Sequence, residues 1–237
     1  MYASDHDAGR EMPEMGGETP GAADWREGRH DFAASLGGAT RGRLVFERGA
    51  ANVTLRADAA LDGDLVRAHF EGPLPSVRAQ GGTVTIRYHS FSFFDWLRYA
   101  VQWDATIADV TLNPAVPWDL EIRGGVSRIN ADLRALALRS LEVRGGASRV
   151  EIWLPRPEGT VPVDIRGGAS NVTLYHPRDV PVRLHVHGGA TSLTLDEQHF
   201  GAIGGPLRLE TSGYGGAAGR YEVEIIGGAS RLTIEAR

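Results

Sequence analysis

From Leu120 to Leu195 apolar and polar residues alternate with a period of two, and the alternation is written four times: LEIRGGVSRIN, LEVRGGASRVEI, VDIRGGASNVTL and LHVHGGATSLTL. A fifth full copy, VEIIGGASRLTI, begins at Val223. Aligned on the glycine pair, Leu120, Leu141, Val163, Leu184 and Val223 share one column, and Ile122, Val143, Ile165, Val186 and Ile225 share the next. Beyond the glycines, Ile129, Val150, Val172, Leu193 and Leu232 form a third. Alternating with these are Glu121, Glu142, Asp164, His185 and Glu224, then Arg123, Arg144, Arg166 and His187. Such alternation with β-branched residues predicts half-buried strands, and no helical period fits it.

The pairs that start at Gly124, Gly145, Gly167 and Gly188 are spaced by 21, 22 and 21 residues. A Gly-Gly link serves either as a hairpin turn in a meander, barrel or propeller blade or as the corner of a solenoid coil. The solenoid explains more: the period is short for a four-stranded blade, and the small Ala and Ser after the glycines recur as a repeated tight corner requires. The expectation is an all-β protein, a single-stranded β-solenoid over residues 43–237. Coils of roughly 21 residues stacked at about 4.8 Å give about nine levels and a body on the order of 45 Å long.

Two earlier stretches are read as imperfect copies. They are LVFERGAANVTL, from Leu44 to Leu55 with Arg48-Gly49 in place of the glycine pair, and GGTVTIR, from Gly81 to Arg87. The last pair, Gly227-Gly228, lies 39 residues beyond Gly188, which predicts a divergent rung through Leu207 to Gly216. Ahead of the repeats, residues 1–21 read as a disordered tail. Residues 22–42 read as an N-terminal helix and cap, with Asp24 as N-cap, Trp25, Phe32 and Leu36 as the apolar side and Gly37-Gly38 as the stop. Residues 88–106 interrupt the repeat with an aromatic insert.

Composition narrows the chemistry. Cysteine is absent, which removes disulfides, thiolate metal sites and cysteine nucleophiles, and a net charge of −5 gives no basic footprint for nucleic acid. The first 20 residues are polar and acidic without an apolar stretch of the secretory type. No run approaches the roughly 20 apolar residues of a membrane helix. The expected location is cytoplasmic, with the membrane periphery as the alternative.

Four candidate sites stand out. The insert carries Phe91, Phe93, Phe94, Trp96, Tyr99 and Trp103 beside Tyr88, and these are the expected partner-binding residues: either a cover folded onto the solenoid or a patch for a protein partner or a second copy. His185 and His187 flank Val186 and share a face, but two ligands do not make a metal site, and Tyr175-His176 and His199 stand alone. No metal or cofactor is expected. Glu121, Glu142, Asp164 and Glu224 are considered as a glycosidase-like acid/base set, yet a repeated column follows from stacking, and no difference in environment separates one member from another. The glycine pairs match no phosphate-binding loop. Because Glu235, Ala236 and Arg237 follow directly on the last inward Ile234, no C-terminal segment is expected to cap the final coil; either the stretch from Asp196 to Pro206 folds over it or another molecule does, and self-association through that end or through the aromatic insert is expected.

The GGASRVEI, GGASNVTL and GGASRLTI copies, preceded by LVFERGAANVTL, resemble the toast-rack domains of bacterial envelope-stress proteins, among them the LiaF-type cell-wall-active antibiotic response domain and related adhesin-like β-solenoid domains. The resemblance covers roughly residues 43–237. It implies a right-handed β-helix and a non-enzymatic role in scaffolding or sensing. The expected function is a non-catalytic scaffold or protein-interaction module. A carbohydrate-binding or carbohydrate-cleaving β-helix and a filament-forming structural protein are the alternatives.

Overall fold

The computed structural model describes residues 28–48, 50–88 and 106–237. In chain order its strands are Gly28–Ser35 (β1), Gly42–Glu47 (β2), Ala50–Ala57 (β3), Asp64–Gly72 (β4), Ser76–Gln80 (β5), Thr83–Arg87 (β6), Ile107–Leu112 (β7), Pro117–Arg123 (β8), Val126–Asp132 (β9) and Ala137–Arg144 (β10). They continue with Ala147–Trp153 (β11), Thr160–Arg166 (β12), Ala169–His176 (β13), Val182–Val186 (β14), Ala190–Leu195 (β15), Gln198–Phe200 (β16), Leu207–Glu210 (β17), Arg220–Ile226 (β18) and Ala229–Ala236 (β19). Two sheets share them. One has ten strands in the order β1-β4-β7-β3-β9-β11-β13-β19-β15-β16, the other nine in the order β17-β14-β18-β12-β10-β8-β2-β6-β5.

Each repeat sends one strand along the second sheet, bends at the glycines and returns along the first. Equivalent residues of neighbouring coils pair in parallel register: Leu141 beside Leu120 and Val163, Val150 beside Ile129 and Val172. Every residue of the three predicted apolar columns is at most 2% exposed, and together they form one continuous core between the sheets. Strands buried on one face only explain the strict alternation. Trp118 and Tyr221 fill the wider end of this core, and each satisfies its polar atom: Trp118 Nε1 donates to the Asn113 carbonyl at 2.8 Å and Tyr221 Oη to the Pro155 carbonyl at 2.7 Å.

The levels do not stack in sequence order. Among the described residues there are seven parallel levels, fewer than the nine expected, in the spatial order β6/β7, β2/β3, β8/β9, β10/β11, β12/β13, β18/β19 and β14/β15. After β7 the chain steps past β2/β3 to begin β8, and after β13 it steps past an empty level to build β14/β15. The last coil, β18/β19, then fills that gap, so β19 is hydrogen-bonded on one side to β13 and on the other to β15. The expectation of an uncapped final coil is therefore overturned. The remaining length goes into antiparallel strands that close both ends: β4 and β1 on β7, β5 on β6, β16 on β15 and β17 on β14.

Three local expectations change for related reasons. The stretch from Leu207 to Gly216 is not a further rung; its first part is β17, running antiparallel along β14. Gly81-Gly82 is not a coil corner but a hairpin turn between β5 and β6, with φ of 55° and 80°, and Thr83–Arg87 belongs to the sheet that precedes the corner. The helix expected over residues 22–36 is, from Gly28 on, the strand β1, paired with β4 along its whole length. A Gly-containing segment of weak helix propensity yields to the free edge of β4, and Phe32 and Ala34 pack inward. Residues 1–27 lie outside the described region.

The corner geometry holds the levels together. Gly124, Gly145, Gly167 and Gly227 have φ of 98°, 123°, 119° and 124°, a region open to glycine. A Cβ on Gly145 would stand 2.6 Å from the Gly124 carbonyl oxygen, on Gly167 2.7 Å from that of Gly145, and on Gly227 2.6 Å from that of Gly167. Gly168, one residue further on, has open space around its would-be Cβ. Gly167→Ala is expected to lower stability by roughly 2–4 kcal/mol, combining backbone strain and overpacking. Gly168→Ala is expected to cost less than about 1 kcal/mol. Chemical denaturation of the two variants beside the wild type measures the difference.

Candidate functional site: the charge ladder and its break

The outward residues of the second sheet form two adjacent columns, because side chains at alternate positions of stacked coils sit directly above one another. Glu121, Glu142, Asp164 and Glu224 stand in one, in register from β8 through β10 and β12 to β18. Arg123, Arg144 and Arg166 stand in the other. Pairing runs both within and between levels. Arg123 Nε donates to Glu121 at 2.6 Å, Arg43 Nη2 to the same carboxylate at 2.9 Å, and Arg144 to both oxygens of Glu142 at 2.5 and 3.0 Å. Arg166 reaches Glu142 at 3.3 Å and Asp164 at 3.6 Å. The ladder continues down to Glu47, which accepts from Arg87 Nε at 2.6 Å.

The members of the carboxylate column differ in environment, contrary to the expectation of uniformity. The Arg123 hydrogen bond, joined by that of Arg43, holds the Glu121 carboxyl below the ordinary range although the group is buried. Burial pushes the Asp164 carboxyl up, and the flanking Glu224 and Glu142 add to the rise against the pull of Arg166. This split separates a well-paired from an under-paired position on one outer face. Guanidinium groups engage Glu121, Glu142 and Asp164, so these carboxylates are taken up in ion pairs with their own arginines. Two concavities, of about 680 and 500 Å³, are lined by other residues. The first lies along the corners at Gly168–Ser170, Ala190–Thr191 and Gly228–Ser230, and the second around Asp31, His69 and Asp109.

The ladder breaks at the β18 and β14 levels. Ile226 occupies the column filled by Arg123, Arg144 and Arg166 in the levels below, and His185 and His187 replace the acid and the arginine on β14. His185 lies beside Glu224 in the register, and His187 Nε2 is 2.7 Å from Glu224 Oε1. Sequence reasoning identified both histidines but not Glu224 as their companion, because the carboxylate comes from a coil 37 residues away that is inserted out of order. The one available signal was the 39-residue interval between the last two glycine pairs.

The other singled-out residues are structural or lie elsewhere. Phe91, Phe93, Phe94, Trp96, Tyr99 and Trp103 lie outside the described residues. The described residues on either side, Tyr88 after β6 and Thr106 before β7, are both buried and stand at the corner of the β6/β7 level, where the levels from β8/β9 to β14/β15 use a glycine pair. His176 is 3% exposed; its Nε2 is 3.0 Å from Asp196, which also accepts from the backbone NH of Ala236 at 2.9 Å. Together they clasp the inserted β19 between its neighbours. Tyr175 stacks on Trp153 with centroids 4.1 Å apart, and Arg134 and Arg237 cover the two outer ring faces at 5.1 and 5.6 Å. His199 sits on β16 and contacts Thr194 Oγ1 at 3.2 Å. On the first sheet, hydrogen bonds with Asp31 and then Glu71 raise the pKa of His69.

These features define an all-β module of two facing sheets whose outer faces are largely self-paired. The family described as the N-terminal domain of toast_rack, DUF2154, matches residues 38–175, more than half of the chain, and the chain belongs to that family. A crystal structure of a candidate cell adhesion protein from Clostridium sporogenes ATCC 15579 is similar over 90% of this chain and 100% of its own, with a TM-score of 0.69. At 16% identity, the likeness is one of fold. A candidate adhesin from Bacteroides fragilis NCTC 9343 aligns over 87% of this chain and 97% of its own at 8% identity, but its TM-score of 0.31 is too low to argue from. No curated protein matches the sequence significantly. No helix among the described residues is long and apolar enough to cross a membrane.

The unequal carboxylates give opposite expectations for two isosteric changes. Glu121 contributes stability above the ordinary glutamate range, and that contribution is lost as pH falls through its lowered pKa. Glu121→Gln is therefore expected to cost about 1–3 kcal/mol at pH 7, since it leaves Arg43 and Arg123 without their shared carboxylate. Asp164 binds its proton more tightly folded than unfolded, so its charge opposes folding at neutral pH and the opposition fades as pH falls through its raised pKa. Asp164→Asn is expected to raise the melting temperature at pH 7. Thermal denaturation at pH 7 and in acid checks both signs.

Proposed function

We propose that this chain is a non-catalytic interaction module of the bacterial envelope-stress and adhesion kind, and that it contacts a second copy of itself or a protein partner through the insert at residues 88–106. The observation that carries the reading is where the insert is rooted. The levels from β8/β9 to β14/β15 turn their corner with two glycines, whereas the β6/β7 level at the other end places residues 89–105 between β6 and β7. A segment of this length and aromatic content, rooted at the end of a stack, suits recognition better than chain reversal alone. The faces of the regular coils support the same reading by default, since their charges are taken up by one another. Membership of the toast_rack family and the shared fold with a candidate cell adhesion protein are consistent with an interaction role. The envelope-stress setting rests on the family resemblance alone.

The second copy is the occupant to test first. Size-exclusion chromatography with light scattering is expected to show a molar mass that rises with concentration for the wild type. A Phe93→Ser, Phe94→Ser, Trp96→Ser variant is expected to remain monomeric with unchanged far-UV circular dichroism. A wild type that stays strictly monomeric at high micromolar concentration contradicts self-association.

A further inference from the structure

Two imidazoles and one carboxylate meet where the charge ladder breaks. His185 on β14 and His187, one residue past the end of that strand, turn their rings to the same side, and Glu224 stands beside His185 on the neighbouring parallel strand β18. The imidazole centroids are 4.0 Å apart at an angle of 37°. One metal-type ligand atom from each of the three residues lies within 4.8 Å of the others.

The electrostatics favour a cation there. Glu121, Glu142 and Asp164 each have an arginine two residues further along their strand, but Glu224 is followed by Ile226 at that place. Among the described residues the ion pair recorded for Glu224 is with His187. Arginines on the surrounding strands are engaged by other carboxylates: Arg166 reaches Glu142 at 3.3 Å and Asp164 at 3.6 Å, Arg183 contacts Glu210 at 2.8 Å and Glu222 at 3.3 Å, and Arg208 reaches Glu210 at 3.8 Å. On the far side of Glu224 stands Asp164, a further carboxylate of the same column.

We propose that His185, His187 and Glu224 form a binding site for a divalent transition metal of the zinc class, bridging the inserted C-terminal coil to the outermost one. Imidazole nitrogens and a carboxylate oxygen are the ligands such an ion takes, and three protein ligands leave the fourth tetrahedral position to water. Bonds of about 2.0–2.2 Å place ligand atoms roughly 3.3–3.5 Å apart. Side-chain rotation closes the present spacing, and the partial exposure of His187 (39%) and Glu224 (32%) leaves room for it. One ligand sits on β14, the second one residue past its end with its backbone NH bonded to the Ile225 carbonyl at 2.9 Å, and the third on the neighbouring strand β18. A simple His187–Glu224 salt bridge is the competing account, and it assigns nothing to His185.

The test uses the untagged full chain and the metals themselves. Titration with Co²⁺ is expected to give a visible absorption band saturating at one ion per chain, and Zn²⁺ is expected to displace it. Excess Zn²⁺ is expected to raise the melting temperature, because binding to the folded state alone stabilises it. His185→Ala, His187→Ala and Glu224→Gln are each expected to weaken Zn²⁺ binding by about tenfold or more in calorimetry. His199→Ala, on the other sheet, is expected to leave it unchanged. A wild type with neither a Co²⁺ band nor a Zn²⁺-dependent thermal shift overturns the proposal, as does full-strength Zn²⁺ binding in the three ligand variants. The thermal shift of the wild type needs no variant, so a misfolded substitution does not shelter the idea.

Discussion

The close approach of backbone at the glycine corners is the constraint on which the rest of the structure depends. At Gly145, Gly167, Gly227 and Gly188, each would-be Cβ falls 2.3–2.7 Å from the carbonyl oxygen of the glycine in the adjacent coil. Nothing larger than hydrogen fits there. The corners therefore stack with their backbones in contact, which locks the register of both flanking strands. The apolar columns, the acid and arginine columns and the buried core follow from that register. On the β2/β3 level Arg48 takes up a left-handed φ of 63° in the place of the first glycine, a conformation that costs a non-glycine residue about 1–3 kcal/mol and is tolerated once, near an end.

Locked register fixes which residues face one another but says nothing about which coil sits beside which. Copies as alike as GGASRVEI, GGASNVTL and GGASRLTI offer nearly interchangeable surfaces, so the order is decided by connections and end strands. At each end the chain lays one coil outside its neighbour and returns to the interior, leaving antiparallel strands at the rims. At the C-terminal end, Asp196 seals the insertion by holding both His176 of β13 and the backbone of Ala236 in β19. A parallel stack that ended on its last coil would present a template for further parallel coils; antiparallel rims with short β16 and β17 interrupt that template.

Much of this was legible in the residues themselves. Period-two alternation identified the strands, the glycine pairs identified the corners, and all fifteen positions of the three apolar columns are buried. What remained hidden depended on long-range pairing. The pair Gly81-Gly82 reads like a corner but takes positive φ at both residues and makes a hairpin. Gly28–Ser35 has too little local preference to announce a strand, and the β4 edge supplies it. Glu224 could be seen as a member of the acid column, but not as the neighbour of His185, because that contact exists only in the inserted order. The contrast between Glu121 and Asp164 likewise depends on Arg43, which arrives from β2 on the adjacent level. Regular coils thus carry architecture, and chemistry concentrates where the repeat is interrupted or reordered.

The central claim is that the last coil is an interior level of the stack. Native-state hydrogen exchange tests it directly, because β19 has hydrogen-bonded neighbours on both sides whereas β16 and β17 lie at sheet edges. The account predicts that amides of Ala229–Ala236 belong to the slowest-exchanging class together with those of Ala169–His176, while Gln198–Phe200 and Leu207–Glu210 exchange early. Early exchange along Ala229–Ala236, with protection ending at Ala190–Leu195, would contradict it and restore a stack built in sequence order.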